Sequence, residues 1–366
     1  MSVNKPLPWM VVVVWSFGML FGGVAAEAAV PRAFVSTSGT DANTSSNCGP
    51  TAPCRTFGAA VSVLAPGGEI VVLTSGGYGP VTITQSLSIR ATGIYAGITV
   101  ASGNGVTINA PGGNVLITGL TINGSGGTTG VAIQSASAVV LDSCTISNMS
   151  GDGIADSRST PPNSNGYPQQ HLEVTSSQIH DNGGMGIAIA PAGEGNFVAI
   201  QDSQLVNNLG GGIGVSDGAF VGVYGTRVYA VATQGPGIGV RVSGTSGPFQ
   251  GSGLEIENSD VVTAGPALVL ANTSGSSSSN AGAHVIRSSL ITLGVGTTPS
   301  DTVDISSSVT GGARLVLDGD RVAAGNAAAI NMQTTGVTVK SFGNNWISYG
   351  GGPGIVGGSL TTQSLQ

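Results

Sequence analysis

Val139-x-Leu141-x-x-Cys144-x-Ile146, Leu172-x-Val174-x-x-Ser177-x-Ile179 and Val198-x-Ile200-x-x-Ser203-x-Leu205 are three copies of one pattern. Each runs apolar, outward, apolar, two turn residues, a small residue, one outward residue and an apolar residue. Val115-x-Ile117-x-x-Leu120-x-Ile122 precedes them, and Val221-x-Val223-x-x-Thr226-x-Val228 and Leu254-x-Ile256-x-x-Ser259-x-Val261 follow. Three less regular copies come last: Ala283-x-Val285-x-x-Ser288-x-Leu290, Leu315-x-Leu317-x-x-Asp320-x-Val322 and Val337-x-Val339-x-x-Phe342. Their first positions lie 22 to 33 residues apart, the length of one solenoid turn with insertions. The earlier gaps hold a third short strand: Gly130-Val131-x-Ile133, Gly153-Ile154, Gly186-Ile187-x-Ile189, Gly212-Ile213-x-Val215 and Gly237-Ile238-x-Val240. Period-two alternation marks half-buried strands, and three strands per repeat without a helix between them predict a three-sided parallel coil. Stacked coils bury the inward rows as one core. Roughly ten coils at about 4.8 Å each give a rod of about 50 Å.

Composition agrees with that reading. The chain of 366 residues holds 61 glycines and only 8% charged residues, which suits many short strands and turns rather than solvated helices. Eleven Lys plus Arg against eighteen Asp plus Glu give a net charge of −7 without a basic stripe, so no nucleic-acid partner is expected. Aromatic residues make up 5% of the chain, which counts against a platform for stacking sugars.

Residues 1–28 read as an export leader: Lys5 supplies charge, Trp9 to Val24 form the apolar run, and Ala26-Glu27-Ala28 is a small-residue cleavage site. The mature chain is expected to start near Ala29 or Val30, in the periplasm or outside the cell. The alternative, an uncleaved anchor, asks for about 20 apolar residues, more than this run supplies. No other segment could cross a membrane, so no membrane partner is expected after cleavage. In an oxidising compartment Cys48 and Cys54 enclose a loop short enough for a disulfide. Cys144, in the small-residue column, is expected to be a buried core residue and not a nucleophile. Thr56 followed by Phe57-Gly58-Ala59-Ala60-Val61-Ser62-Val63-Leu64 reads as an N-capped amphipathic helix covering one end of the rod, stopped by Pro66 and Gly67. The chain thus divides into a leader (1–28), a cap (29–69), the coils (70–349) and a Gly/Ser/Thr-rich tail (350–366). Insertions leave the rod at Ser157 to Gln170, Ser243 to Gly253 and Asn272 to Gly282.

With these coils and the N-terminal block Cys54-Arg55-Thr56-Phe57, Pro66-Gly67-Gly68-Glu69-Ile70 and Gly76-Gly77-Tyr78-Gly79-Pro80-Val81-Thr82-Ile83, the sequence resembles bacterial exported right-handed parallel β-helix repeat proteins of the pectin-lyase-like superfamily. The resemblance covers nearly the whole mature chain and implies an all-β, single-stranded right-handed parallel β-helix. It also implies contact with a polysaccharide or a cell-surface glycan, since the superfamily holds pectate and pectin lyases, polygalacturonases, alginate-modifying enzymes, phage tailspikes and adhesins. The coil pattern specifies fold and not activity. The polygalacturonase motifs Asn-Thr-Asp, Asp-Asp, Gly-His-Gly and Arg-Ile-Lys do not occur here. A pectate lyase gathers carboxylates for calcium beside an Arg or Lys base, and no dense acidic row is present, so no cofactor is expected and calcium lacks support. Three functions stay open: a carbohydrate-contacting protein, a polysaccharide lyase or glycoside hydrolase, and an adhesin-like or structural solenoid.

Two groups of side chains are candidates. The first surrounds the insertion from Ser157 to Gln170, with Asp152, Asp156, His180 and Asp181 as candidate catalytic residues, Arg158 and His171 as substrate contacts, and Glu173 beside them. Asp156 stands where neighbouring coils have Ile189, Val215 and Val240; either the strand ends early to enter the loop, or Arg158 or a cation holds the carboxylate. Asn182 and Asn208 are expected to form a turn ladder. The second group is the outward row Gln178, Gln204, Arg227, Asp260, Ser289 and Arg321, with Glu255 and His284 in an adjacent row. There Arg227 and Asp260 could meet a substrate, and read more simply as a cross-coil ion pair. The outward residues of the third strand, Ala132, Ala155, Ala188, Gly214 and Gly239, make a smooth strip that supplies no acid or base. An enzyme should gather Asp152, His180 or their neighbours into a cleft; a structural rod should leave them dispersed.

Overall fold

The computed structural model describes residues 29–158, 170–191, 195–230, 235–243, 251–276, 279–293, 300–310 and 312–363. Residues 1–28, read above as an export leader, and much of the first two insertions lie outside the described residues, as do 277–278 of the third.

The alternating runs pair as three parallel sheets, visited in a fixed order once per coil. Face A has 13 strands among the described residues, from Val30–Val35 and Leu64–Val72 to Val337–Ser341 and Thr361–Thr362. Face B has 11, from Gly76–Gly77 to Trp346–Tyr349, and face C has 11, from Val81–Ile83 to Ile355–Val356. Regular pairing therefore reaches past residue 349. One coil comprises Ala138–Asp142 on face A, Thr145–Ser147 on face B and Ile154–Asp156 on face C. The next stacks directly on it, Val139 on Leu172, Ile146 on Ile179 and Ile154 on Ile187. Inward Val, Ile and Leu are buried through the coils as one core, and at the C-terminal end Ile347 and Ile355 are partly exposed.

The last copy of the repeat is the exception. Its strand pairs Val339 with Leu315 and Ser341 with Leu317, two residues later than the sequence alignment of Val337 and Val339 predicts. A shift of two keeps every side chain on its own face, so alternation alone does not detect it.

Each corner has a local cause. At the corner from A to B a left-handed residue turns the chain: Ser143, Ser176, Asp202, Gly225, Asn258, Arg287 and Gly319 all have φ between 48° and 72°. The next residue is buried and polar in most coils. Cys144 N–H donates to Ser177 Oγ at 3.0 Å, Ser177 N–H to Ser203 Oγ at 3.1 Å, and Ser203 N–H to Thr226 Oγ1 at 3.3 Å. Thr226, Ser259 and Ser288 continue the ladder to Ser259 Oγ, Ser288 Oγ and Asp320 Oδ1. What reads in sequence as a column of small residues is a hydrogen-bonded column that satisfies one backbone N–H per coil. Cys144 heads it, and burial pushes its thiol up to about 11, as befits a core residue.

At the start of face C the glycine column follows from close approach. A Cβ on Gly130 would lie 2.5 Å from Gly153 O, and one on Gly212 2.5 Å from Gly237 O, so nothing larger fits between successive coils.

The N-terminal end is closed by the helix Phe57–Val63, whose N-cap Thr56 accepts the Ala59 N–H. Phe57 packs on buried Tyr78 with ring centroids 5.1 Å apart. Asp41 accepts the backbone N–H of both Arg55 and Thr56, and Arg55 donates to Gly77 O. Cys48 and Cys54 are joined by a disulfide. The N-terminal sequence block is thus a structural closure.

The polar column contains one carboxylate, Asp320, whose own N–H donates on to Asn345 Oδ1 at 2.6 Å, and that carboxylate makes stability depend on pH. Burial holds Asp320 up to about 6, and burial with neighbouring Asp301 holds Asp304 up to about 6. A raised folded value contributes stability that is complete below the ordinary value of 3.8 and is lost as pH rises through about 6. Asp320→Ser restores the column residue, and we expect it to raise stability at pH 7 by on the order of 1–2 kcal/mol with no gain at pH 4. Thermal melts at the two pH values test this; an equal gain at both would remove titration as the cause.

Candidate functional site

Asp156 stays in its strand, paired in register with Ile133 and Ile189. Of the two alternatives for this residue, retention by Arg158 is the one observed. Arg158 Nε donates to Asp156 Oδ1 at 2.8 Å and Nη2 to Oδ2 at 2.7 Å. Asn196 Nδ2 adds a third contact at 3.1 Å, and Arg158 Nη1 donates to Ala136 O and His171 O. Asp156 is 1% and Arg158 0% exposed, so both charges are spent inside the rod where the insertion leaves face C.

The other members of that group lie elsewhere. Asp152 Oδ1 accepts the Met185 N–H at 2.7 Å, at the corner leading into face C. His180 Nδ1 and Asp181 Oδ2 are 2.8 Å apart at the end of a face B strand, where Asp181 takes the left-handed turn conformation with φ 55°. Asn182 and Asn208 form the expected ladder: Asn182 Oδ1 accepts Met149 N–H, and Asn208 Oδ1 accepts from both Asn182 N and Asn182 Nδ2. Arg227 and Asp260 are register neighbours on face B. Neither makes an ion pair within 4 Å among the described residues, in contrast to the cross-coil pair expected, because both side chains stay solvated. Glu255 and His284 are paired neighbours on face A, a corner away from the Arg227 row and not in the row beside it. On face C, Met185 lies across Gly214 and Pro236 across Gly239, so the chain itself covers part of the smooth strip.

The clearest concave surface is on face A. His171, Phe197 and Phe220 occupy one outward position on three successive strands. Their rings stack at 5.8 Å and 5.8 Å between centroids, with interplanar angles of 16° and 35°. Phe197 is 39% and Phe220 37% exposed. The floor is small: a Cβ on Gly253 would meet the Phe220 ring at 2.8 Å, and one on Gly222 the Tyr224 ring at 2.4 Å. Those glycines let the rings lie against the sheet. Tyr224 donates to Glu255 Oε1 at 3.1 Å, and burial, then Glu255, raise its phenol above the ordinary value. Glu173 accepts Thr175 Oγ1 at 3.3 Å. Neither Glu173 nor Glu255 has a cation within 4 Å among the described residues.

This groove holds about 510 Å³, and it meets a second of about 810 Å³, lined by Arg90, Ile94, Leu116, Asp142 and Thr175, at their shared residue Glu173. Together they run along the rod axis. Neither contains Asp152, His180 or Asp181. The whole-chain scarcity of aromatics concealed the ring row, because a solenoid can concentrate a few rings at one register position. The available signal was the residue before the first inward position in three successive repeats, His171, Phe197 and Phe220. Among the described residues no group of three or more His, Cys, Asp or Glu side chains could hold a metal, and no helix is long and apolar enough to cross a membrane.

The family model of the right handed beta helix region matches residues 67–228. No curated protein matches the sequence. Among solved structures the chain is similar to an alginate lyase from Paenibacillus sp. str. FPU-7, with 16% identity, 91% of this chain and 100% of that chain covered, and a TM-score of 0.51. It is also similar to the A-module of the Azotobacter vinelandii mannuronan C-5 epimerase AlgE6, with 12% identity, 82% and 92% coverage and a TM-score of 0.47. A pectate lyase, Pel9A, shows 13% identity, 92% and 79% coverage and a TM-score of 0.42. The matched coils and the three parallel ladders make this chain a right-handed parallel β-helix.

Proposed function

We propose that the protein is exported and binds an extended polysaccharide along face A, with His171, Phe197 and Phe220 stacking on sugar rings and Glu173 and Glu255 accepting hydroxyl hydrogen bonds. The observation that carries this reading is the exposed ring row set over a small-residue floor in an axial groove. Aromatic faces bind the C–H surfaces of sugars, and a groove parallel to the rod suits a polymer. The carboxylates favour a neutral or amine-bearing polymer over a polyuronate, which they would repel. The disulfide and the leader support export.

The same geometry favours binding over hydrolysis. Glu173 and Glu255 are three strands apart in register, roughly 14 Å along the axis at the usual strand spacing. A glycosidase keeps its two carboxyl groups about 5–10 Å apart. Asp156 lies at a different corner from Asp152 and His180 and is buried against Arg158, which points the same way.

Affinity electrophoresis against neutral glucans and mannans, an amino-sugar polymer and polyuronates tests the proposal. Retardation by a neutral or amine-bearing polymer is expected, weakened roughly three- to tenfold in Phe197→Ala and in Phe220→Ala, with melting temperature unchanged because both rings are partly exposed. Absence of binding to every polymer, binding to polyuronates alone, or indifference to both substitutions would sink it.

A further inference from the structure

Face B carries a second exposed strip that the groove on face A leaves unused. Gln204, Arg227, Asp260 and Ser289 follow one another in register on successive strands, and Val206, Tyr229, Val262 and Ile291 form the parallel outward row beside them. Together with Arg321, the rung beyond Ser289, they line a shallow groove of about 500 Å³, and Gln178 is the rung before Gln204, so the outermost pair under a reversal about Arg227 and Asp260 is Gln178 with Arg321. Tyr229 is 37% exposed, and Arg227 and Asp260 project into solvent without an ion-pair partner within 4 Å among the described residues.

The order of residues along this strip is self-complementary. Reversed, the row presents a neutral residue, a carboxylate, a guanidinium and a neutral residue against its own neutral residue, guanidinium, carboxylate and neutral residue. The apolar row beside it is closed under the same reversal. We propose that face B is a self-association surface on which two copies pack with their rods antiparallel, about a two-fold axis passing between Arg227 and Asp260. Arg227 of each copy then faces Asp260 of the other, Tyr229 faces Val262, and Val206 faces Ile291.

Three features select a second copy as the occupant. An isologous contact requires that one patch complement itself, and this one does. Two copies share the same strand spacing of about 4.8 Å, so a register correct for one pair is correct for every pair along the strip. Charges of both signs at adjacent rungs also suit a matching protein surface better than a polymer of repeating identical units. Face A stays open in such a pair, so each dimer displays two polysaccharide grooves, and the pairing does not depend on what those grooves bind.

Sedimentation equilibrium of the purified protein across micromolar to submillimolar concentrations tests this. The unmodified protein is expected to dimerise, and Arg227→Asp alone and Asp260→Arg alone are each expected to weaken dimerisation at least tenfold. An equimolar mixture of the two variants is expected to recover association, because each then carries the charge its partner lacks. Both positions are solvent-facing, so melting curves recorded at concentrations where the unmodified protein is monomeric should match it and separate lost pairing from lost folding. A protein monomeric throughout the range, single variants that dimerise normally, or a mixture that stays monomeric would each overturn the proposal.

Discussion

Asp156→Ala is expected to cost about 3–5 kcal/mol of folding stability, because it leaves the Arg158 guanidinium buried without its counter-charge. The ion pair is bidentate and inaccessible to solvent, so no water replaces the missing carboxylate. Arg158→Ala should cost a similar amount by stranding Asp156, although Asn196 still donates to that carboxylate. Asp156→Ile with Arg158→Met should recover most of the loss. Isoleucine is the residue of this column in the next coil, where Ile189 stacks on Asp156, and methionine approximates the length of the arginine stem. Denaturant unfolding of the two single variants and the double variant measures these values. A small effect from either single substitution would show that water reaches the pair. Loss of any activity in Asp156→Ala reports lost folding unless the double variant has also lost it.

Asn182→Ala is expected to cost about 2–4 kcal/mol, since it orphans the buried Met149 N–H and also breaks the side-chain bond to the next coil. Its carboxamide accepts the Met149 N–H and donates to Asn208 Oδ1 at 2.8 Å. The Met149 N–H finds no substitute, because Asn182 is 0% exposed, whereas Asn208 Oδ1 keeps the Asn182 backbone N–H at 3.2 Å. Asn208→Ala removes two acceptor contacts and the bond to Ile179 O at 3.0 Å. The double variant should lose clearly less than the sum, since both single changes break the same bond. Amide exchange at Met149 is the specific readout: it should accelerate in Asn182→Ala beyond the change at its strand neighbours. Unchanged exchange there would separate the loss of stability from the ladder.

Much of this architecture was written in the sequence because a solenoid repeats its constraints. Val139, Leu172 and Val198 recur for the same reason, and so do Ile154, Ile187 and Ile213, so one coil predicts the next. The helix behind Thr56 and the Cys48–Cys54 bond were legible from local chemistry. What escaped depends on relations between coils that a repeat consensus averages away. Ser177, Ser203 and Thr226 read as small residues, yet their hydroxyls matter because each coil's N–H lies beneath the next. The His171, Phe197 and Phe220 row escaped because each ring belongs to a different repeat and only register unites them. Asp156 left two alternatives because sequence does not show whether the chain at Arg158 folds back over the carboxylate or runs on into the insertion.

The three corners of the coil differ in how much sequence they take. From Asp142 to Arg321 every passage from face A to face B spends two residues between strands, and the serine column fixes that number. Of the four longest gaps between strands beyond the N-terminal cap, 293–302 lies between Thr292 on face B and Val303 on face C, and the other three fall where face C returns to face A: 157–169 between Asp156 and Gln170, 243–251 between Val242 and Ser252, and 273–280 between Asn272 and Ala281. The attachment points of these three fall on one edge of the rod, the edge bordering the aromatic row. A lineage can therefore rewrite the rim of that groove by lengthening or trimming segments there, while the ladders that hold the fold keep their count. Scaffold and groove rim are separately editable in this chain, because variable length is admitted at the hinge beside the ring row and excluded at the hinge that locks one coil to the next.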